Sequence, residues 1–253
     1  MGADELIADA PADRFAESAP PPAPDLRQDR ARPQARSAPY QPASPAPPPR
    51  PALQDGDVDA RAIARAAPDL AALRRALADF DGCGLKKTAK HLCFSRGADH
   101  ARVMFIGEAP GREEDMSGTP FVGPAGRLLN RMMAAIGLDE ASAHIANVVY
   151  WRPPGNRTPT LEETQACLPF IERQIELVNP EIVVILGGAA AKLLTGATDG
   201  VMKLRGKWFN LGDAQPRRAL VTLHPAYLLR TPAAKRLAWR DLLLIEAALK
   251  GDV

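Results

Sequence analysis

The sequence predicts an α/β fold: a single three-layer αβα domain built on a central four-stranded, mainly parallel sheet. Three observations carry that prediction. Four short apolar runs rich in β-branched residues recur at 103–107 (VMFIG), 144–150 (HIANVVY), 182–186 (IVVIL) and 219–223 (ALVTL). They are apolar nearly throughout, as strands covered on both faces are. Segments with helical periodicity separate them, and strands alternating with helices favour parallel pairing.

The first helical pattern is DVDARAIARAAPDLAALRRALADF, residues 57–80. Pro68 either breaks it or opens a second helix after Ala67, because proline lacks the N–H that an interior turn requires. After the first apolar run comes AGRLLNRMMAAIG (125–137), whose apolar stripe stops at Gly137. TLEETQACLPFIERQIELV (160–178) opens with Thr160 and Glu163 in capping-box spacing and ends before Asn179-Pro180. RLAWRDLLLIEAALKG (236–251) is the last helical pattern.

Residues 1–56 read differently. Thirteen of the 25 prolines fall in residues 1–51, in stretches such as PPPAP and SPAPPPRP, and such a segment buries too little apolar surface to offset chain entropy. A disordered Pro/Ala-rich tail is expected there, serving as a tether or as a docking peptide for an unidentified protein. The folded domain is expected over 57–253.

Composition bounds the rest. With 46% hydrophobic and 25% charged residues the chain reads as an ordinary globular protein. Three cysteines are too few for a disulfide framework and fit a reducing compartment. The start, MGADELIADAPADRF, lacks the basic and apolar segments of a signal peptide, and no run approaches the roughly 20 apolar residues that span a bilayer. A cytoplasmic, membrane-free protein is expected. Residues 1–55 carry six Arg against eight acids, or −2, so the remainder of this +2 chain carries +4. That suits a polyanionic partner without requiring one.

Common catalytic motifs are missing. There is no P-loop, no G-x-G-x-x-G opening a helix and no G-x-S-x-G. His91, Cys93 and His100 in HLCFSRGADH match no strong zinc spacing. Function in parallel sheets collects beyond the carboxyl ends of the strands. There the sequence places one carboxylate (Glu108), one imidazole (His224), two amides (Asn147, Asn156) and an aromatic ring (Phe121). Arg152, Arg157, Arg205, Lys207 and Arg230 surround them. An amide and an aromatic face suit a planar heterocycle, and basic residues suit phosphates. The run VMFIGEAPGREED looks like a phosphate cradle, yet Glu108 inside it would repel a phosphate. A carboxylate makes sense where positive charge develops, as on a sugar whose glycosidic bond is breaking. The departing base is then an anion, which an imidazole or amide stabilises.

FIGEAPGREED, GTPFVGPAGRLLN, ANVVYWRPPGNRTP, RGKW and HPAYLLR, in that order over residues 75–249, closely resemble the family 4 uracil-DNA glycosylases. The resemblance implies their fold and a monofunctional enzyme that hydrolyses the N-glycosidic bond of uracil in DNA, leaving an abasic site. It implies that Glu108 sits beneath C1′ of a flipped-out deoxyuridine, positioning a water and stabilising the oxocarbenium-like sugar. His224 would donate to uracil O2, Phe121 would stack on the ring and Asn147 would read its polar edge. Asn156 would shape the pocket, and backbone from Gly107 through Ala109, Pro110 and Gly111 would lie close to the base. Leu228 or Leu229 would wedge into the emptied stack, with Arg230 at a phosphate and Arg205 and Lys207 as further DNA contacts. The implied setting is a monomer acting on uracil-containing DNA in the cytoplasm, associated with the nucleoid.

One departure from the family is large. Its members carry a [4Fe–4S] cluster on four cysteines, and the corresponding positions here hold Phe80, Cys83, Trp151 and Cys167. A cubane needs a ligand for each iron, and neither Phe nor Trp can serve. No cluster and no metal are expected; Cys83 and Cys167 become buried thiols beside apolar packing from Phe80 and Trp151. Two other activities stay open at this stage: a glycosylase with a wider range of damaged bases, and a DNA-binding protein without catalysis.

Overall fold

Each of the four expected apolar runs supplies a strand. The computed structural model describes residues 55–212 and 216–251, all within one compact unit, Ser44–Val253. The expected tail over 1–56 lies outside the described residues except for its last two positions, where the first helix already begins. The strands are β1 (Arg96–Gly97), β2 (Val103–Gly107), β3 (Ala143–Asn147), β4 (Ile182–Leu186), β5 (Trp208–Leu211) and β6 (Arg217–Thr222). The helices are α1 (Asp55–Ala66), α2 (Leu70–Asp79), α3 (Arg112–Ser117), α4 (Pro124–Ala134), α5 (Leu161–Val178), α6 (Gly188–Thr195), α7 (Val201–Leu204), α8 (Pro225–Arg230) and α9 (Lys235–Lys250).

The sheet has six strands in the order β1-β3-β2-β4-β6-β5, not four. The four expected strands form its parallel centre, and β1 and β5 pair antiparallel at the two edges. Both edge strands escape a periodicity search for physical reasons. β1 is two residues long, and β5 (WFNL) is largely half-exposed, with Asn210 interrupting its apolar character.

Side chains of the central strands alternate between two cores. Met104, Ile106, Val183, Ile185 and Val221 pack with Leu73 and Leu77 of α2 and with Phe170 and Ile171 of α5. Val103, Phe105, Ile145, Val184 and Leu220 pack on the opposite face with Leu129 and Met133 of α4 and Ile245 of α9. Helices therefore cover both faces, which is why the strand sequences are apolar throughout. Pro68 ends the first helix, and the second starts with Asp69 as its cap, accepting from the Ala72 N–H at 2.7 Å. The capping box of α5 forms as expected, with Glu163 N–H to Thr160 at 3.2 Å and Thr160 N–H to Glu163 at 2.8 Å.

A buried polar chain crosses the first core. Tyr150 donates to Gln174 Oε1 at 2.8 Å, and Gln174 Nε2 lies 2.9 Å from His144 Nε2. The other imidazole nitrogen of His144 faces the Ala98 carbonyl at 2.8 Å. Gln174 donates to the ring, so the imidazole proton sits on Nδ1 and goes to Ala98. Burial holds His144 below its ordinary pKa, consistent with that neutral ring.

The topology directs the site to one edge. From β2 the chain goes to β3 on one side, then crosses to β4 on the other, so the connections diverge at the carboxyl end of β2. Helix α9 starts at that same edge, where Asp241 accepts from the Thr222 hydroxyl at 2.7 Å. It ends at the opposite edge, where the Leu249 carbonyl accepts from Arg102 at 2.9 Å. No helix among the described residues is long and apolar enough to cross a membrane.

Candidate active site

The carboxyl ends of β2, β3 and β4 and the turn after β6 open onto one cavity of about 470 Å³, within the range of small-molecule sites. Glu108 follows β2 directly. The N–H groups of Val148 and Val149 bond to the Gly107 and Glu108 carbonyls at 2.9 and 3.0 Å, fixing this backbone just past the ladder. Oε1 of Glu108 is buried and has no hydrogen-bond partner among the described residues. Burial pushes its carboxyl above the ordinary glutamate range.

Asn147 closes β3, directly opposite Gly107 in the register. Its side chain is buried and its Oδ1 also lacks a partner among the described residues. A Cβ on Gly107 would come within 2.4 Å of that Oδ1 and 2.6 Å of the Phe121 ring. Glycine is therefore required so that the amide and the ring can both pass over this backbone.

Phe121 adopts a left-handed conformation, φ 57°, which is strained for a bulky residue. Several contacts hold it there. Arg96 donates to the Pro120 carbonyl at 2.9 Å, to the Phe121 carbonyl at 3.3 Å and to Asn130 at 2.6 Å, and pairs with Glu140. A Cβ on Gly126 would fall 1.6 Å from the Phe121 carbonyl oxygen, so only glycine leaves room for this bend.

His224 caps α8, its Nδ1 accepting from the Ala226 N–H at 3.1 Å. Burial, helped by the nearby Arg230 charge, lowers its pKa to about 4. The ring is thus neutral near pH 7, and with Nδ1 occupied as an acceptor its proton lies on Nε2. Its ring centroid is 5.7 Å from that of Phe121. Gly187, at φ 93°, lets β4 turn into α6 against His224, and a Cβ there would meet the histidine Cβ at 3.0 Å.

The loop that resembles a phosphate cradle is closed by its own helix. Glu114 of α3 accepts from the Gly111 N–H at 3.1 Å and the Gly123 N–H at 2.9 Å. The carboxylate occupies donors that a phosphate would need, and it joins the Glu108 loop to the Phe121 loop. Sequence reasoning missed both Glu114 and Arg96. The Gly111-x-x-Glu114 spacing is that of a capping box, a signal that was available for the first. Arg96 carries no such signal, because its partners lie 24 or more residues away.

The structure brings Glu108, Ala109, Pro110, Gly111, Phe121, Asn147, Asn156, His224 and Arg230 to the cavity wall. Asn156 is exposed at φ 57°, its Oδ1 accepting from Arg152 at 2.7 Å, so its contribution is to loop shape. The remaining expected contacts are placed elsewhere. Leu228 is 1% exposed and belongs to the core under α8, whereas Leu229 is 40% exposed. Arg205 is held by Asp241 and donates to the Leu237 carbonyl at 2.7 Å, a structural ion pair rather than a free cation. Lys207 is exposed but does not line the cavity.

Cys83 and Cys167 are buried, and the Cys83 thiol lies 3.9 Å from the Glu163 carbonyl; the Cys167 thiol nearby lowers the Cys83 pKa, and Cys83 together with burial raises that of Cys167. At the other two cluster positions, Phe80 stacks at a tilt on Phe170, 5.0 Å between centroids, and Trp151 meets Tyr150 edge-on at 6.5 Å. Among the described residues no group of three or more His, Cys, Asp or Glu is arranged to hold a metal. Two thiols and two aromatic rings do not fit a four-iron cluster.

Residues 94–243 match the family model described as the uracil DNA glycosylase superfamily. The chain is similar to the type-4 uracil-DNA glycosylase of Archaeoglobus fulgidus, with 38% identity over 155 residues, or 59% of this chain and 78% of the relative. The type-4 enzyme of Thermotoga maritima is 37% identical over 174 residues, covering 67% of this chain and 89% of the relative. That of Pyrobaculum aerophilum is 37% identical over 179 residues, covering 69% and 91%.

Proposed function

We propose that this chain, which belongs to the uracil DNA glycosylase superfamily and to its type-4 members, hydrolyses the bond between uracil and deoxyribose in DNA. The observation that carries the proposal is the pair of unpartnered buried oxygens, Glu108 Oε1 and Asn147 Oδ1, facing one cavity beside an aromatic ring. Buried polar atoms normally find partners, so two orphans in one cavity point to a ligand that completes them.

Deoxyuridine, rotated out of its strand, lies on the Phe121 ring. The Asn147 carbonyl accepts from the uracil N3–H, a contact unavailable to a base without a donor at that position. As the C1′–N1 bond lengthens, its electron pair moves onto the base. The Nε2–H of the neutral His224 donates to O2, where negative charge gathers; one such donor is worth about 10²–10³ in rate. The ionised Glu108 faces the sugar, offsets the charge at C1′ and accepts a proton from the water whose oxygen bonds to C1′. The uracil anion leaves and takes its proton from solvent. No lysine is among the described residues lining the cavity, so the abasic sugar is not carried on to a Schiff base. Nothing in this sequence of steps uses a cluster, and we include its absence in the proposal.

The test is alkali-induced cleavage of an end-labelled oligonucleotide carrying one uracil. Wild-type protein is expected to expose the site and Glu108→Ala is not. A wild type that cuts only at hypoxanthine or another damaged base would replace uracil as the substrate.

A further inference from the structure

Helix α9 presents a surface that the cavity chemistry does not use. Lys235, Arg236, Trp239, Arg240 and Leu243 are exposed. Their spacing of i, i+1, i+4, i+5 and i+8 puts them on one side of the helix, opposite the buried Ala238, Asp241, Leu242 and Ile245. Single exposed apolar residues are ordinary. The setting of Trp239, 43% exposed, is not, because cations flank it on both sides along the helix.

Charge identifies the partner. From Leu229 to Arg240 the chain reads LRTPAAKRLAWR, with four cations and no acid. Among the described residues none of Arg230, Lys235, Arg236 and Arg240 takes part in an ion pair, whereas Arg102, Arg157 and Arg173 each have a carboxylate. An acidic protein surface would answer the cations alone. Nucleic acid answers the tryptophan as well, with phosphates on the cations and an unpaired base on the ring.

Position agrees. Asp241 is fastened to Thr222 at the carboxyl end of β6, so residues 235–240 lie at the sheet edge where the cavity opens. Arg230 lines that cavity, and one 3-10 turn, Pro232–Ala234, separates it from Lys235. The run from Lys235 to Arg240 extends about 7.5 Å along the axis.

We propose that this face of α9 holds the unpaired DNA strand running out of the cavity. Lys235, Arg236 and Arg240 contact its phosphates, and Trp239 stacks on a base next to the extruded nucleotide. This rests on the proposed function only in that the cavity receives a nucleotide from DNA. A duplex keeps its bases stacked within the helix and denies them to Trp239, so the surface favours single-stranded DNA.

Anisotropy titrations of the full chain with a labelled single-stranded oligonucleotide lacking uracil, at several salt concentrations, test this. The changed side chains are exposed, and unchanged thermal unfolding confirms that the variants fold. Trp239→Ala is expected to weaken binding about tenfold. The double variant Arg236→Ala/Arg240→Ala is expected to lower the salt slope by about 1.4, for two lost phosphate contacts on a single strand. On a matched duplex, Trp239→Ala is expected to bind as wild type does. Affinity and salt slope unchanged in every variant would overturn the proposal, as would an equal loss on duplex. The probe has no uracil, so failure to excise uracil counts against the proposed function and leaves this result standing.

Discussion

Phe121 and His224 both line the cavity, with ring centroids 5.7 Å apart and planes tilted by 32°. A base sandwiched between them would need about 7 Å, two carbon contacts of roughly 3.5 Å each. In the proposed reaction the base is therefore expected to lie on Phe121 and to present its edge to His224. Stacking acts on ground state and transition state alike, while the histidine acts as charge develops. Phe121→Ala is expected to raise KM about tenfold with a small change in kcat, and His224→Ala to lower kcat by about 10²–10³. Steady-state kinetics on a uracil oligonucleotide separate the two.

The pH dependence follows from opposite shifts. Burial raises the Glu108 pKa, and the proposed step requires its ionised form, so the acid limb of kcat is expected above the ordinary 4.5. His224, at about 4, is neutral across that range and does not set the limb. Glu108→Gln is expected to abolish the limb along with most activity, and His224→Asn to leave its position unchanged. Stability also responds. Between pH 6.5 and about 4 the unfolded chain takes up a proton at His224 that the folded chain refuses, so stability falls as pH drops through that window. His224→Asn removes this part of the slope, measurable by urea denaturation at several pH values.

Glu114 is the strut between the two loops of the pocket. Glu114→Gln offers one acceptor where two N–H groups need one each, leaving a buried donor unsatisfied at about 1–3 kcal/mol. Reduced stability is expected together with a kcat loss larger than the KM change, because the loops carry Glu108 and Phe121. Arg96→Lys keeps the charge but loses the fork that spans the Pro120 and Phe121 carbonyls, and is expected to shift KM.

Adjacent leucines on α8 separate fold from grip. Leu228 is buried, and Leu228→Ala is expected to cost about 2–5 kcal/mol in unfolding measurements. Leu229 is exposed beside Arg230, and Leu229→Ala is expected to keep full stability while slowing excision from duplex DNA several-fold. Excision from a single strand, where nothing must be unstacked, is expected to change little.

Periodicity made the parallel centre of the sheet legible, because strands buried on both faces leave unbroken apolar runs such as 182–186. The edge strands left no such trace. Glu108, Phe121, Asn147 and His224 were legible as polar and aromatic residues beyond the strand ends, their expected roles came from the resemblance, and their convergence follows from where β2, β3 and β6 end and from the turn that precedes α4. What sequence could not show is burial. Two leucines one residue apart look alike until one is in the core, and Arg205 looks like a free cation until Asp241, 36 residues later, closes on it. The clamp on Phe121 was equally hidden, being made by backbone carbonyls that carry no residue identity.

The most direct test of the account is single-turnover excision of uracil by purified protein whose iron and sulfide content has been measured. Wild-type chain, Glu108→Gln and the double variant Cys83→Ala/Cys167→Ala are compared. The account predicts uracil release by wild type holding no stoichiometric iron, little loss in the double cysteine variant, and loss of several hundred-fold or more in Glu108→Gln. Activity that rises and falls with iron content, or that survives in Glu108→Gln, would contradict it.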